Sequence, residues 1–135
     1  MEGVSRSDFR AELIDGQIYY MAPPTRTHQR IVTELTVAIH EYIKKNHGIC
    51  EVNVSPFAVF WDSLKDKTQN YVEPDISAIC DNEKLDDKGC YGSPDWVIEV
   101  VSPSSSRLDY GRKQALYLEN AVKEYWGVDA ARRTV

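Results

Sequence analysis

The sequence predicts an α/β domain with mixed strand directions, on three observations. Two short runs, Val72-Glu73-Pro74-Asp75-Ile76 and Trp96-Val97-Ile98-Glu99-Val100-Val101, are rich in β-favouring residues and read as strands. Ile31, Leu35, Ala38 and Tyr42, with Ile39 and Ile43 beside them, keep the spacing of one helical face. The 135 residues suit one domain, spanning 1–135, built on a single core.

The elements follow in order. Residues 12–21 read as a β-hairpin, because Asp15-Gly16 lies between two apolar runs and glycine accepts positive φ cheaply. Pro23-Pro24 ends that strand. A helix then starts with Thr25 or Thr27 as its N-cap and stops before Gly48. Residues 49–61 alternate as a strand interrupted at Pro56, and the polar residues 62–70 read as a loop. Residues 75–80 form a further strand, 81–94 an acidic loop, and 96–101 the central strand. Ser102-Pro103-Ser104-Ser105-Ser106 is a turn rich in cap residues, which introduces a second helix from 108 to about 121. A short strand over 125–128 closes the described order, which is not a regular βαβ array.

Composition narrows the class. Hydrophobic residues at 42% and charged residues at 27% are the ordinary balance of a soluble globular chain. No segment approaches the roughly 18 apolar residues of a membrane span, and the N-terminus lacks the apolar centre of a signal peptide, so no membrane partner and a cytoplasmic location are expected. The three cysteines are odd in number and lack a CxxC spacing, which argues against a disulfide framework and a zinc site. Cys50 and Cys80 lie in apolar strand-like runs and read as reduced core residues, whereas Cys90 falls in a polar loop. The formal net charge of -5 argues against non-specific binding of nucleic acid through a basic surface.

The chemical candidates begin with Glu99. A carboxylate within a buried strand carries a desolvation cost of roughly several kcal/mol unless it is paired, so it calls for a cation, a donor or a metal. Asp95 is on the same strand face, but at about 3.3 Å per residue it stands roughly 13 Å away, too far to share an ion. Asp75 is the natural partner if its strand pairs beside this one, and the two acids then form a divalent-metal site. The competing reading has Asp75 capping a strand and Glu99 bridging a buried arginine. Lys113 is the candidate cation, although Asp109 four residues earlier and Tyr117 four later also suit an ordinary surface pair. Glu12 on the first hairpin strand is a possible third ligand or a solvent-facing residue. His28 near the first helix start is a possible substrate contact or an incidental polar residue. The absence of a Gly-x-Ser-x-Gly elbow excludes the usual serine-hydrolase layout.

These segments together resemble the Uma-two family of restriction endonucleases, a bacterial branch of the PD-(D/E)XK nuclease superfamily. The matching pieces are Glu-Leu-Ile-Asp-Gly at 12–16, Ala-Pro-Pro-Thr at 22–25 with His28, Glu-Pro-Asp-Ile-Ser at 73–77, Pro-Asp-Trp-Val-Ile-Glu-Val-Val-Ser-Pro-Ser at 94–104, Asp109 with Lys113, and Val-Lys-Glu-Tyr-Trp at 122–126. The resemblance implies a restriction-endonuclease-like core, a mixed central sheet flanked by helices, and Mg²⁺- or Mn²⁺-dependent cleavage of DNA. It implies Asp75 and Glu99 as metal ligands, Lys113 as a displaced catalytic lysine and Glu12 as an accessory acid. Nucleases of this type carry lysine two positions after the strand acid, where this chain has Val101. The family pattern continues into further β structure, so the chain is expected to lack its C-terminal strands. An unpaired sheet edge then favours a homodimer. The alternative is a catalytically silent member of the same fold that binds nucleic acid or a protein.

Overall fold

A computed structural model describes residues 10–62, 69–101, 107–130 and 135. Its elements are β1 (Arg10–Ile14), β2 (Gln17–Met21), α1 (Arg26–Lys45), β3 (Glu51–Val54), β4 (Ala58–Asp62), β5 (Gln69–Val72), β6 (Ile76–Ile79), β7 (Leu85–Asp86), β8 (Gly89–Tyr91), β9 (Trp96–Val101), α2 (Arg107–Glu119) and β10 (Glu124–Asp129). Four strands form one sheet in the order β10-β9-β6-β3. In it β10 runs parallel to β9, and the other neighbours are antiparallel. Six strands form a second sheet in the order β2-β1-β5-β4-β8-β7. The expected mixed sheet is therefore present, with a second sheet that the sequence did not announce.

Local chemistry accounts for the elements nearest the site. Asp15 and Gly16 take positive φ of 50° and 80°, which fits the tight turn joining β1 to β2. The Asp15 amide also donates to Oδ1 of the buried Asn70 at 2.8 Å, fixing the hairpin to β5. Thr25 caps α1, its hydroxyl accepting from the His28 amide at 3.1 Å. The cap thereby sets the first turn of the helix, on which the His28 side chain stands.

Adjacent residues on β6 and β9 point to opposite faces. Ile76 and Ile98 pack beneath Ile39 of α1, together with Val52, Trp96, Trp126 and Val128. Ile79 and Val97 enter the other core, with Val59, Val72, Leu116 and Tyr117. Glu99 follows Ile98 and so turns towards this second core, between the two sheets and α2.

Four expectations need correction. Cys50 and Cys80 are joined by a disulfide, not reduced. The antiparallel register Glu51↔Ile79 continues by one residue to set the two cysteines opposite each other, a pairing that sequence spacing does not reveal. Residues 69 and 70, expected in a loop, begin β5, while 63–68 lie outside the described residues. The stretch 81–94 is not simply loop. It contains a 3-10 turn over Asn82–Lys84 and the β7–β8 pair. Asp86 Oδ1 accepts from the amides of Lys88 and Gly89 at 2.8 and 3.2 Å and folds the turn. Cys90 accordingly lies on β8 in the core rather than in a polar loop, and burial pushes its thiol up to about 11. The serine-rich turn 102–106 lies outside the described residues. No helix among the described residues is long and apolar enough to cross a membrane.

Candidate active site

Five elements converge on Glu99. The register Ile76↔Ile98 between β6 and β9, continued by one residue, sets Asp75 opposite Glu99. The two strands then clamp each other's acid. The Asp75 amide donates to Glu99 Oε1 at 3.1 Å, and the Val100 amide donates to Asp75 Oδ2 at 2.7 Å. Asp75 is thus no mere strand cap. Glu99 pairs with a lysine, not with the buried arginine of the competing reading.

That lysine is Lys113 of α2. Its Nζ contacts Glu99 Oε2 closely and reaches Glu12 Oε2 at 2.9 Å. Lys113 therefore points inward, with its side chain 13% exposed. Asp109, the alternative partner, has a side chain outside the described residues. Tyr117 stands one helical turn further along α2 and donates from its hydroxyl to Glu99 Oε2 at 2.7 Å. Glu12 is buried at 5% exposure, which corrects the solvent-facing option for it. Besides Lys113 it accepts from the Glu73 amide at 2.8 Å. His28 Nε2 lies 3.2 Å from Asp75 Oδ2, so the first turn of α1 also joins the site. Asp95 stays apart at the start of β9, bound to the Cys80 amide and Lys123.

A second layer lies behind Glu12. Glu73 accepts from Arg10 Nε at 3.1 Å and from the Tyr71 hydroxyl at 2.8 Å. Arg10 also contacts the Ser55 hydroxyl, and the Ser55 amide donates to the Asp75 carbonyl at 3.0 Å. Burial first, and the Glu73 carboxylate second, push the Tyr71 hydroxyl up to about 12. The sequence assigns no role at the site to Glu73 or Arg10, and it names Tyr117 only as a surface neighbour of Lys113. Tyr117 had a signal, since Lys113 and Tyr117 are four apart on one helix face. The others had none beyond Arg10 lying two residues before Glu12 on the same strand face.

The electrostatics are those of a buried, mainly acidic cluster holding one ammonium. Burial pushes the Glu99 carboxyl above the ordinary carboxylate range, with Asp75 and Glu12 adding to the rise and Lys113 opposing it. Lys113 is desolvated too, but Glu99 and Glu12 outweigh this and hold its ammonium above the usual lysine value. It is cationic at neutral pH and unsuited to serve as a base. Tyr117 is pushed well above the tyrosine value, first by burial and then by Glu99. The hydrogen bond to Asp75 raises His28, against a smaller effect of burial.

Asp75, Glu99, Lys113, Glu12 and His28 all line one cavity of about 450 Å³. It is also lined by Met21 at the end of β2, by Pro23 and Pro24 after the hairpin, by Val37 of α1 and by Arg112.

A mixed α/β fold with cross-strand carboxylates and a lysine at one cavity defines the restriction-endonuclease-like class. The chain belongs to the Uma2 family, described as "Putative restriction endonuclease", whose model matches residues 1–135. It is 33% identical over 111 residues to "Uncharacterized protein slr1290" of Synechocystis sp. (strain PCC 6803), a match covering 82% of this chain and 55% of that protein. The chain thus spans about half the length of this curated relative. Its fold is also similar to a crystal structure from Anabaena variabilis ATCC 29413 described as "a putative nuclease belonging to DUF820". The TM-score is 0.72 at 21% identity, over 88% of this chain and 65% of that one. The sequence match thus shows the family, and the structural match shows the fold.

Proposed function

We propose that the chain carries the active site of a Mg²⁺- or Mn²⁺-dependent DNA endonuclease, hydrolysing phosphodiester bonds. The observation that carries this reading is the pairing of Asp75 with Glu99 across β6 and β9, with the Lys113 ammonium against Glu99. Among the described residues no three His, Cys, Asp or Glu side chains form a metal cluster. The two facing carboxylates of Asp75 and Glu99 suit Mg²⁺ or Mn²⁺, because such ions take one or two carboxylates, keep several waters and complete their shell with substrate phosphate. Asp75 Oδ2 is engaged by His28 and Val100, which leaves Oδ1 without a partner among the described residues. Asp75 and Glu99 would hold the ion. When bound, it offers charge neutralisation at the phosphate and a more acidic water.

The chain's own groups have distinct tasks in this reading. Lys113, held cationic by two carboxylates, faces the negative charge that grows on the phosphate in the transition state. Glu12 keeps the ammonium in place, and Tyr117 orients the Glu99 carboxylate. His28 steadies Asp75 and is within the cavity for a substrate contact. Val101 at the usual lysine position favours the silent-member alternative, whereas the Lys113 ammonium against Glu99 favours the nuclease reading.

The test combines metal binding with cleavage. Mn²⁺ at millimolar concentration is expected to raise the melting temperature of the wild type, and Mn²⁺ or Mg²⁺ to support cleavage of DNA. A protein whose melting is indifferent to Mn²⁺, with no cleavage of single-stranded, duplex or branched DNA, returns the reading to the silent member.

A further inference from the structure

The cavity above Asp75 and Glu99 differs from the surfaces that bind double-stranded DNA. Its acids lie deep. Glu12 and Glu99 are buried, and the Asp75 and Lys113 side chains are only 14% and 13% exposed. A phosphate that reaches them must enter the concave space of about 450 Å³, within the range of pockets that enclose one small molecule. A duplex is stiff and brings a backbone phosphate into such a concavity only at the cost of its own deformation, whereas an unpaired strand bends in freely.

The charges point the same way. Duplex affinity comes chiefly from many lysines and arginines displacing counterions. Here two of the cations lining the cavity are already committed. Arg10 is bound to Glu73, and Lys113 to Glu12 and Glu99. Arg112 is exposed and has no carboxylate partner among the described residues. It donates to Gln17 Oε1 at 3.0 Å and lies 5.5 Å from the centre of the Tyr19 ring. The apolar wall of Met21, Pro23, Pro24 and Val37, with Tyr19 and Tyr20 also lining the cavity, can cover the face of an unpaired base, and such contacts add to phosphate contacts in single-strand binding.

We propose that the site takes a single unpaired DNA strand and excludes the intact duplex, an inference that rests on the nuclease reading above. Arg112 holds a flanking phosphate at the cavity rim, and the wall containing Val37 receives a base. The test is fluorescence anisotropy on the full chain in metal-free buffer, with labelled oligothymidine against a blunt hairpin duplex. Oligothymidine is expected to bind at least about tenfold more tightly, the scale of one base contact. Arg112→Gln keeps a partner for Gln17 and should lower the slope of log K against log salt by about 0.7, the loss of one single-strand phosphate contact. Val37→Glu, at a position 53% exposed, should weaken oligothymidine binding and leave duplex binding alone. Duplex binding as tight as single-strand binding overturns the proposal, as does no binding of oligothymidine. Two variants that melt like wild type and bind oligothymidine unchanged also overturn it. Metal-dependent cleavage of duplex without strand preference sinks this inference and leaves the nuclease reading standing. Strand-selective binding without any response to Mn²⁺ does the reverse.

Discussion

Glu99 concentrates the conflict between stability and chemistry in a single side chain. It is 7% exposed, faces Asp75 and Glu12, and is relieved by Lys113, Tyr117 and one backbone amide. Because its folded pKa is raised, the folded state holds the proton more tightly than the unfolded chain does. The stability this provides is complete below the ordinary carboxylate pKa and is lost as pH rises through the folded value. Glu99→Gln removes that dependence. Thermal melts in metal-free buffer should show the variant gaining on wild type steadily as pH rises from about 4 to about 8, the span above an unperturbed glutamate. Parallel melting curves would show that this carboxyl titrates alike in both states. In a cleavage assay the same change should reduce activity by at least about a hundredfold, the scale for losing one preorganised charged group. Tyr117→Phe poses a different question. It leaves Glu99 Oε2 with Lys113 as its remaining partner and should lower stability by about 0.5–1.5 kcal/mol, the net range for one intramolecular hydrogen bond. Denaturant unfolding measures that loss.

The elements show what could be read in advance. The β1–β2 hairpin, α1 with its Thr25 cap, β9 and α2 all follow from local signals: Asp-Gly, a threonine before an apolar period, an apolar run. Thr25→Ala should cost about 1 kcal/mol of stability, the usual value for a lost N-cap. It should also loosen His28, whose amide the cap holds, and NMR of the His28 ring would detect the change. The second sheet was harder to foresee, because β5, β7 and β8 are short and polar and depend on partners distant in sequence. Gly89 shows why. A Cβ there would lie 2.4 Å from the Ala58 carbonyl oxygen, so β8 approaches β4 only because this residue has no side chain. Gly89→Ala should therefore push β8 off β4 and lower the melting temperature well beyond what an exposed glycine substitution causes. The Cys50–Cys80 bond was hidden for a related reason, since it follows from strand register and not from spacing.

At the scale of the whole molecule, the candidate site joins β1, α1, β6, β9 and α2. The sequence exposed its acids because a carboxylate inside an apolar strand is conspicuous. It also exposed Lys113 and His28 as candidates, but it could not show that α2 brings Lys113 across to Glu12, a residue 101 positions away. Long-range convergence of this kind leaves no periodic trace. The Arg10–Glu73–Tyr71 layer was missed because each member, alone, is an ordinary strand residue. The reciprocal clamp between β6 and β9 also makes the protein its own indicator. The amides of Asp75 and Val100 each donate to a carboxylate of the pair, so their nitrogen and proton resonances read the state of those carboxylates directly. An ion that draws Glu99 away from the Asp75 amide should move that amide signal upfield and speed its exchange with solvent, while amides across the second sheet stay still. Titrating Mn²⁺-free protein with diamagnetic Mg²⁺ would then report occupancy from two backbone positions, whether or not any DNA is ever cut.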